Sequence, residues 1–212
     1  VAVPVGLMIA IYLAEYASPS FRAWAKPTIE VLAGIPTIVY GVFALMIIGP
    51  FFKMLGESVG LHINATSALT AGFVMGIMII PFVSSLSDDI ITQVPRALRD
   101  GSLGLGATKS ETIRQVVIPA ALPGIIGAFL LAASRAIGET MAVIMVAGNQ
   151  PRMPKGLLQG VRTMTANIVT EMGYASGLHR EALIATGVVL FVFILIINLS
   201  LSLLNRRAEY AN

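Results

Sequence analysis

An arginine and a glutamate lie inside one of the most apolar stretches of the 212-residue chain. Arg135 is about fifteen residues into a hydrophobic run at 120–148, which is roughly 22 Å along a helix that rises about 1.5 Å per residue. Glu139 follows four residues later, so a continuous helix would place both charges on one face, where they can neutralise each other. Ser134 and Thr140 add hydroxyl groups nearby. A charge at this depth costs a few kcal/mol on insertion scales, so a structural or functional compensation is expected.

Two interpretations of this pair remain open. Arg135 and Glu139 could form a buried ion pair that sets helix packing. Alternatively, the planar guanidinium of Arg135 presents donors that match a tetrahedral oxyanion, and it could exchange Glu139 for such an anion. That exchange would couple anion binding to movement. Because ionisable groups inside a membrane are by default functional candidates, we take Ser134, Arg135, Glu139 and Thr140 as candidates for a substrate path or gate.

Composition places these charges in a membrane protein. Hydrophobic residues make up 56% of the chain and charged residues only 12%, with a mean hydropathy of +0.85, whereas a soluble domain carries about a quarter charged residues. Cysteine is absent and the two histidines, His62 and His179, are far apart, so no metal site is expected. The net charge of +3 gives no indication of a nucleic-acid partner.

The apolar runs predict an all-α transmembrane helical bundle with about five membrane helices, in a chain that we expect to be N-terminally incomplete. The segments are residues 1–16, 30–52, 66–86, 120–148 and 181–204, separated by a polar break at 17–27 and loops at about 53–65, 95–119 and 149–180, in a single transmembrane domain, 1–212. Gly34, Pro36 and Gly41 interrupt the second segment. Such breaks either line a transport path or let helices pack closely through small residues, and both interpretations remain open.

The basic residues assign the two sides of the membrane. An excess of Lys and Arg marks the cytoplasmic side, and alternating spans collect one large set of basic residues on a single side. This set comprises Arg22, Lys26, Arg96, Arg99, Lys109, Arg114, Arg206 and Arg207. We therefore predict a cytoplasmic C-terminus, with the 53–65 and 149–180 loops outside. The last segment, which is almost uniformly apolar, is expected to face lipid.

The interval from Pro95 to Pro119, into which Asp88 and Asp89 are expected to lead, is the longest polar one in the chain. It contains Asp100-Gly101-Ser102, then Gly106 after three residues, then Val116-Val117-Ile118-Pro119 after nine more. This spacing resembles the "EAA" loop of bacterial ABC-importer permeases, which reads Glu-Ala-Ala, three residues, Gly, nine residues, Ile-x-Leu-Pro. In that family the loop forms a short coupling helix that docks into a groove on the ATPase subunit. The resemblance implies ATPase coupling by Asp100, Gly101, Ser102, Gly106, Ala107, Lys109 and Pro119.

The same interval excludes ATP binding by this chain. Gly101 and Gly106 have the spacing of a phosphate-binding loop, and Thr108 fits its last position, but Ala107 stands where that motif requires the Lys that reaches the terminal phosphates. We see no nucleophile–base pair, so a membrane enzyme is not expected. The chain itself is predicted to hold no cofactor, with ATP and Mg on the partner ATPase.

Two further stretches point to a substrate. Arg135-Ala-Ile-Gly-Glu139-Thr-Met-Ala-Val and Glu30-Val-Leu-Ala-Gly-Ile-Pro-Thr-Ile-Val-Tyr-Gly41 resemble phosphate-specific ABC permeases of the PstC type. The second stretch adds Thr37 and Tyr40 to the candidate path residues.

The resemblance implies a permease subunit of an ATP-driven phosphate importer in the bacterial inner membrane. Its partners would be a second permease of the PstA type, an ATP-binding dimer of the PstB type, an extracytoplasmic phosphate-binding protein of the PstS type, membrane lipid and inorganic phosphate. Two alternatives stay open: a permease for another oxyanion such as sulfate or molybdate, and a membrane sensor of phosphate state on the same scaffold.

Overall fold

The structure, a computed structural model, describes the backbone of residues 1–153 and 156–210 and side chains as far as residue 200. These residues form the all-α fold that the apolar runs predict. The helices are α1 Ala2–Ile11, α2 Pro19–Ala33, α3 Thr37–Phe43, α4 Gly49–Ser58, α5 Ala68–Gln93, α6 Arg96–Gly104, α7 Lys109–Thr112, α8 Ile118–Gly138, α9 Met141–Val146, α10 Met164–Glu171 and α11 Leu178–Tyr210. Wider π-helical turns continue α1, α3 and α7 at Tyr12–Tyr16, Ala44–Ile48 and Ile113–Val117.

Four helical stretches in the described ranges are long and apolar enough to cross a bilayer. They are Thr37–Ser58, Ala68–Gln93, Lys109–Gly138 and Leu178–Ser200, and a shorter apolar helix runs over Ala2–Tyr16. The predicted all-α transmembrane architecture is therefore confirmed, with four membrane-length helices and a shorter helix over the first apolar run. Several of the predicted boundaries, however, are wrong.

The second membrane helix begins later than predicted, and the predicted polar break at 17–27 is instead helical. The hydroxyl of Ser18 accepts a hydrogen bond from the Phe21 N–H (3.3 Å) and so caps α2. This helix runs through Glu30 and ends where Gly34 and Pro36 follow. A residue before proline avoids the helical conformation, and the new helix starts directly after Pro36.

The third membrane helix continues past the predicted end at residue 86 to Gln93. Asp88 was expected to lead into a polar loop, but its side chain is only 1% exposed. Both of its carboxylate oxygens accept hydrogen bonds from Arg22 at 2.9 Å, and the Lys26 ammonium lies 3.2 Å away. The prediction was wrong because α2 supplies the opposite charges that let Asp88 stay inside the helix packing.

The fourth membrane helix is shifted towards the N-terminus. Its first turn starts at Lys109, where Thr108 and Glu111 form a reciprocal capping box. The helix ends at Gly138, before the predicted end of the 120–148 segment, and α9 starts only at Met141. The interruption therefore falls at the two residues Glu139 and Thr140, both of which were singled out by sequence.

By the density of internal contacts, the chain divides into two compact units. The first consists of Val1–Gly34, Ile79–Ala133 and the described residues from Ile197, and its core is formed by Ala10, Ile91, Val94, Val117, Ala121 and Ile125. The second consists of Ile35–Met78 and Ser134–Ile196, and its core is formed by Ala44, Ala71, Val74, Val143, Val146 and Ala147. The coupling motif lies in the first unit, and the buried Glu139 lies in the second.

Candidate functional site

Glu139 occupies the break between α8 and α9, in the second unit. Only 9% of the residue is exposed. Its carboxylate accepts a hydrogen bond from the Ala142 N–H (3.3 Å), in the first turn of α9. Its backbone carbonyl accepts one from the Thr165 hydroxyl (3.0 Å) on α10. The contacts to the two helices hold a carboxylate in a nearly dry position, where it keeps capacity to accept further hydrogen bonds.

The break changes the relation between Glu139 and Arg135 that the sequence predicts. Because α8 ends at Gly138, the four-residue spacing no longer puts the two side chains on one continuous helix face. Arg135 stays on the last turn of α8, and it is exposed in the single chain. The Thr140 hydroxyl turns back to donate to the Gly138 carbonyl (3.1 Å). Ser134 is half-buried and lies just before Arg135.

Thr37 and Tyr40 approach the same region through α3, which packs on α9. Thr37 is half-buried in the first turn of α3, and Tyr40 packs against the core that contains Val143 of α9. The contact is close because Gly41 has no side chain: a Cβ there would lie 2.9 Å from the Met145 sulfur and 3.2 Å from the Ala142 Cα. Of the two interpretations of Gly41, the structure therefore favours close packing between α3 and α9 over a position that lines a transport path.

The interval 95–119 does contain a short helix, α6, between two membrane-length helices. Asp100 and Gly101 lie on it and are exposed, and Ser102 is half-buried. The helical conformation persists through Gly101, although glycine is a poor helix former. Leu103 is 47% exposed and Leu105, just after the helix, is 92% exposed. An exposed helix that carries leucines is a surface suited to a protein partner.

The structure separates the other predicted coupling residues from this helix. Gly106 adopts a positive φ of 89°, which favours glycine, and together with Ala107 it turns the chain after α6. Lys109 begins the next membrane helix, and its ammonium lies 5.0 Å from the centre of the Tyr16 ring. Pro119 lies inside the continuous helix Lys109–Gly138, two residues after the π-helical turn Ile113–Val117, and it has no N–H to donate to the helix.

Arg99 connects α6 to two other elements of the first unit. Its guanidinium forms an ion pair with Glu15, and the two side chains are only 19% and 8% exposed. It also donates to the Ile91 carbonyl (2.7 Å) near the end of α5. A second tie joins the hydroxyls of Ser102 and Thr112, which lie 2.9 Å apart. Contacts of this kind fix the orientation of α6 on the membrane helices.

The connection between α9 and α11 carries a separate polar cluster in the second unit. Arg162 donates to the carboxylate of Glu171 (2.6 Å), and to Asn167 (3.2 Å). A hydrogen bond with Tyr174, followed by that with Arg162, lowers the pKa of Glu171. His179 lies 3.8 Å from the other carboxylate oxygen. Arg162, Glu171 and Tyr174 lie outside the membrane-length helices, whereas His179 is the second residue of α11. The cluster therefore joins the polar connection to the start of α11.

Sequence reasoning missed the ion pairs that position α6 and α2. Glu15 was treated as part of an apolar run, and Asp88 as part of a loop. A local signal did exist for both, since a carboxylate inside an apolar helical run needs a cation. Their partners lie 84 and 66 residues away in sequence, so spacing alone could not identify them. Leu105 could have been noticed as an apolar residue in a polar interval.

Comparison with known sequences extends over nearly the whole chain. The sequence model of the binding-protein-dependent transport system inner membrane components matches residues 2–210. The phosphate transport system permease protein PstC of Haemophilus influenzae is 37% identical over 207 residues, which cover 91% of this chain and 66% of that protein. The probable ABC transporter permease protein YqgH of Bacillus subtilis is 37% identical over 203 residues, which cover 93% of this chain and 64% of that protein. The chain thus spans just under two thirds of the length of these relatives.

Solved structures support the fold. An inward-facing structure of the MetNI methionine ABC transporter superposes with a TM-score of 0.68 at 19% identity, covering 97% of this chain and 85% of that chain. A bacterial ABC transporter involved in alginate import gives a TM-score of 0.68 at 15% identity, covering 97% and 72%. Both likenesses concern the arrangement of helices.

Proposed function

The chain belongs to the family of binding-protein-dependent transport system inner membrane components, and we propose that it is a transmembrane permease subunit of an ATP-driven phosphate importer. The observation that carries the proposal is the exposed helix α6, which lies between two membrane-length helices and is tied to them by Arg99 and Ser102. A helix with this placement can receive movement from a soluble partner. Relatives named as phosphate permeases support the choice of substrate.

Coupling would begin on the exposed surface of α6. Asp100 and Gly101, with the leucines Leu103 and Leu105, would contact an ATP-binding dimer of the PstB type. ATP and Mg would be held by that dimer, and this chain would contribute no catalytic group. Gly106 and Ala107 would set the turn that presents the helix, while Lys109 and Pro119 would pass its movement to the following membrane helix.

The substrate path would include the α8–α9 break. The guanidinium of Arg135 supplies donors for a tetrahedral oxyanion, and Ser134, Thr140, Thr37 and Tyr40 would add hydroxyls. A protonated phosphate is also a donor, and the buried carboxylate of Glu139 is an acceptor for it. Sulfate lacks that proton at neutral pH, so Glu139 would favour phosphate over sulfate.

The whole chain would act as one permease domain in the bacterial inner membrane. Its C-terminus would be cytoplasmic, and the connection between α9 and α11 would face outside. A second permease of the PstA type would complete the path, and a binding protein of the PstS type would deliver phosphate. The exposed apolar surface of α11 would face lipid.

Uptake by the reconstituted complex tests the proposal. Radioactive phosphate would be supplied with its binding protein to proteoliposomes that hold the two permeases and the ATPase, with and without internal ATP. Wild type should accumulate phosphate only with ATP. Arg135→Ala should abolish uptake while the complex still assembles. The matched control, Arg152→Ala, removes an exposed arginine from a loop of the same unit and should keep wild-type uptake.

The outcomes separate the alternatives. Normal phosphate uptake by Arg135→Ala would remove Arg135 from the path. ATP-dependent uptake of sulfate or molybdate but not of phosphate would assign another oxyanion. An assembled wild-type complex that accumulates none of these anions would contradict the importer and favour a sensor. Glu139→Gln should lower the preference for phosphate over sulfate, and an unchanged preference would exclude Glu139 from selectivity.

A further inference from the structure

Helix α6 is held in place by polar ties rather than by an apolar core. No residue of Arg96–Gly104 is fully buried. A cavity of about 540 Å³ lies beside it, lined among others by Ala14, Glu15, Arg99, Leu103, Thr112 and Ile113. Helices normally gain their position from burial of an apolar face, and α6 buries too little for that. Its position therefore depends on the few hydrogen bonds and ion pairs that it makes with its neighbours.

The ion pair between Arg99 and Glu15 is the strongest of these ties. Its two side chains are mostly out of water, and charge-assisted hydrogen bonds are roughly twice as strong as neutral ones. The same guanidinium donates to the Ile91 carbonyl on α5. Its Nε is buried and has no hydrogen-bond partner among the described residues. Arg99 is thus a largely buried cation whose counter-charge is Glu15, so separating the two is costly.

Glu15 transmits that restraint to the core of the first unit. It lies in the π-helical turn Tyr12–Tyr16, which continues α1. Just before this turn, Ala10 is fully buried and packs with Ile91 and Val117. A displacement of α6 is therefore transmitted to α1 through the Arg99–Glu15 ion pair. If this ion pair is absent, the cavity leaves room for α6 to move independently of α1.

We propose that the Glu15–Arg99 ion pair is the tie through which movement of α6 reaches α1, so that Glu15 and Arg99 are positioning residues for transport. The proposal rests on the proposed function, in which a partner ATPase drives α6. Loss of the tie uncouples the two helices: the ATPase still hydrolyses ATP, but less of the movement reaches the membrane helices.

The first test is the number of phosphate ions taken up per ATP hydrolysed by the reconstituted complex. Glu15→Gln keeps the side-chain size and removes the charge, so we expect the ratio to fall about fivefold or more, comparable with the lower end of coupling effects between sites. Arg99→Lys keeps the charge, but an ammonium lacks the planar set of donors with which the guanidinium contacts both Glu15 and the Ile91 carbonyl. Its ratio of uptake to ATP hydrolysis should therefore lie between those of the wild type and Glu15→Gln. The exchanged pair Glu15→Arg with Arg99→Glu should recover much of the ratio.

Glu171→Gln is the matched control for this ratio, because the Arg162–Glu171 pair is similarly buried (20% and 16% exposed) and is remote from α6 in sequence. It should leave uptake per ATP unchanged even if both rates fall. A wild-type ratio in Glu15→Gln would overturn the proposal. So would an equal loss of uptake and ATPase activity without recovery in the exchanged pair, because that pattern indicates a structural role alone.

A second test does not depend on phosphate. Because the chain contains no cysteine, spin labels can be placed by Met8→Cys on α1 and Ala97→Cys on α6, two exposed positions. In the assembled complex the distance between the labels should stay the same when nucleotide binds, since the helices move together. In Glu15→Gln it should change with nucleotide. A nucleotide-independent distance in Glu15→Gln would contradict the tie, whereas failure of phosphate uptake alone would contradict only the proposed function.

Discussion

The adjacent carboxylates Asp88 and Asp89 give a sharp test of how the end of α5 is stabilised. The perturbation is Asp88→Asn, compared with Asp89→Asn. The two changes are chemically identical and differ in environment: the Asp88 side chain is 1% exposed and that of Asp89 is 47% exposed. Asp88 faces both Arg22 and Lys26, whereas Asp89 contacts Lys26.

The contacts determine the expected magnitude. At an effective dielectric constant of about 20, unit charges about 4 Å apart interact by about 4 kcal/mol, and breaking a buried pair costs about 3–5 kcal/mol. Arg22 and Lys26 are 27% and 30% exposed, so water screens part of this loss. Hydrogen bonding to Asp89 raises the pKa of Lys26, which therefore stays charged at neutral pH. We expect Asp88→Asn to cost about 2–4 kcal/mol and Asp89→Asn about 0–1 kcal/mol.

Thermal denaturation measures the difference. A fluorescent-protein fusion of the chain would be heated in detergent, and the folded fraction would be read by size-exclusion chromatography. For a chain of this size 1 kcal/mol corresponds to about 2–4 °C in Tm, so Asp88→Asn should lower Tm by on the order of 10 °C. Asp89→Asn should lower it by roughly 4 °C or less. Equal shifts in the two variants would refute the reasoning, because burial would then not decide the strength of the ion pair.

Three further results are expected. Leu105→Ser, at a residue that is 92% exposed, should leave Tm unchanged but weaken co-purification of the ATPase by about tenfold or more, since burying a leucine contributes about 1.5–3 kcal/mol. Gly49→Ala should lower the Tm of the detergent-solubilised chain, because the new Cβ would lie 2.6 Å from a backbone oxygen. By contrast, the new Cβ of Gly101→Ala would meet no atom within 4 Å. That substitution should stabilise helix α6 by about 0.5–1 kcal/mol. The pKa of Glu171 is lower in the folded protein than its usual value, so the ionised carboxylate stabilises the fold at pH values above the usual pKa. This stability is lost as the pH falls through the lowered folded-state pKa. Glu171→Gln should therefore flatten the acid side of a profile of Tm against pH, and an unchanged acid slope would contradict this.

The membrane helices could be predicted from sequence because their signal is local. A run of apolar side chains long enough to cross a bilayer forms a helix whatever its neighbours are. The boundaries of the helices were harder to predict, because they also depend on contacts with residues that are distant in sequence. Asp88 has the polarity of a loop residue, and only the cations on α2 show why it lies within a helix. Thr108 and Glu111, by contrast, form a capping box that a local search for a helix start can find.

The candidate site was predicted in part. The residue types at Arg135 and Glu139 could be recognised as exceptional in an apolar segment, and Asp100 to Gly106 as a motif with fixed spacing. The end of α8 at Gly138 was not predicted, although glycine is a poor helix former and often ends a helix, because the apolar run continues past it to residue 148. Likewise, the pairing of Glu15 with Arg99 depends on packing between distant segments. The roles of all these residues stay predictions until transport is measured.

The π-helical turn at Tyr12–Tyr16 has a consequence for how this chain can vary in length. The Ala17 N–H reaches back five residues to the Tyr12 carbonyl (2.8 Å), so the turn holds one residue more than an α-helical turn would. Deleting one residue between Ala10 and Glu15 would shorten their separation to four residues and change the face on which Glu15 lies relative to Ala10. Ala10 and Glu15 could then no longer face their present neighbours together. Substitutions in this turn are therefore easier to accommodate than a deletion, because the ion pair depends on the number of residues between Ala10 and Glu15.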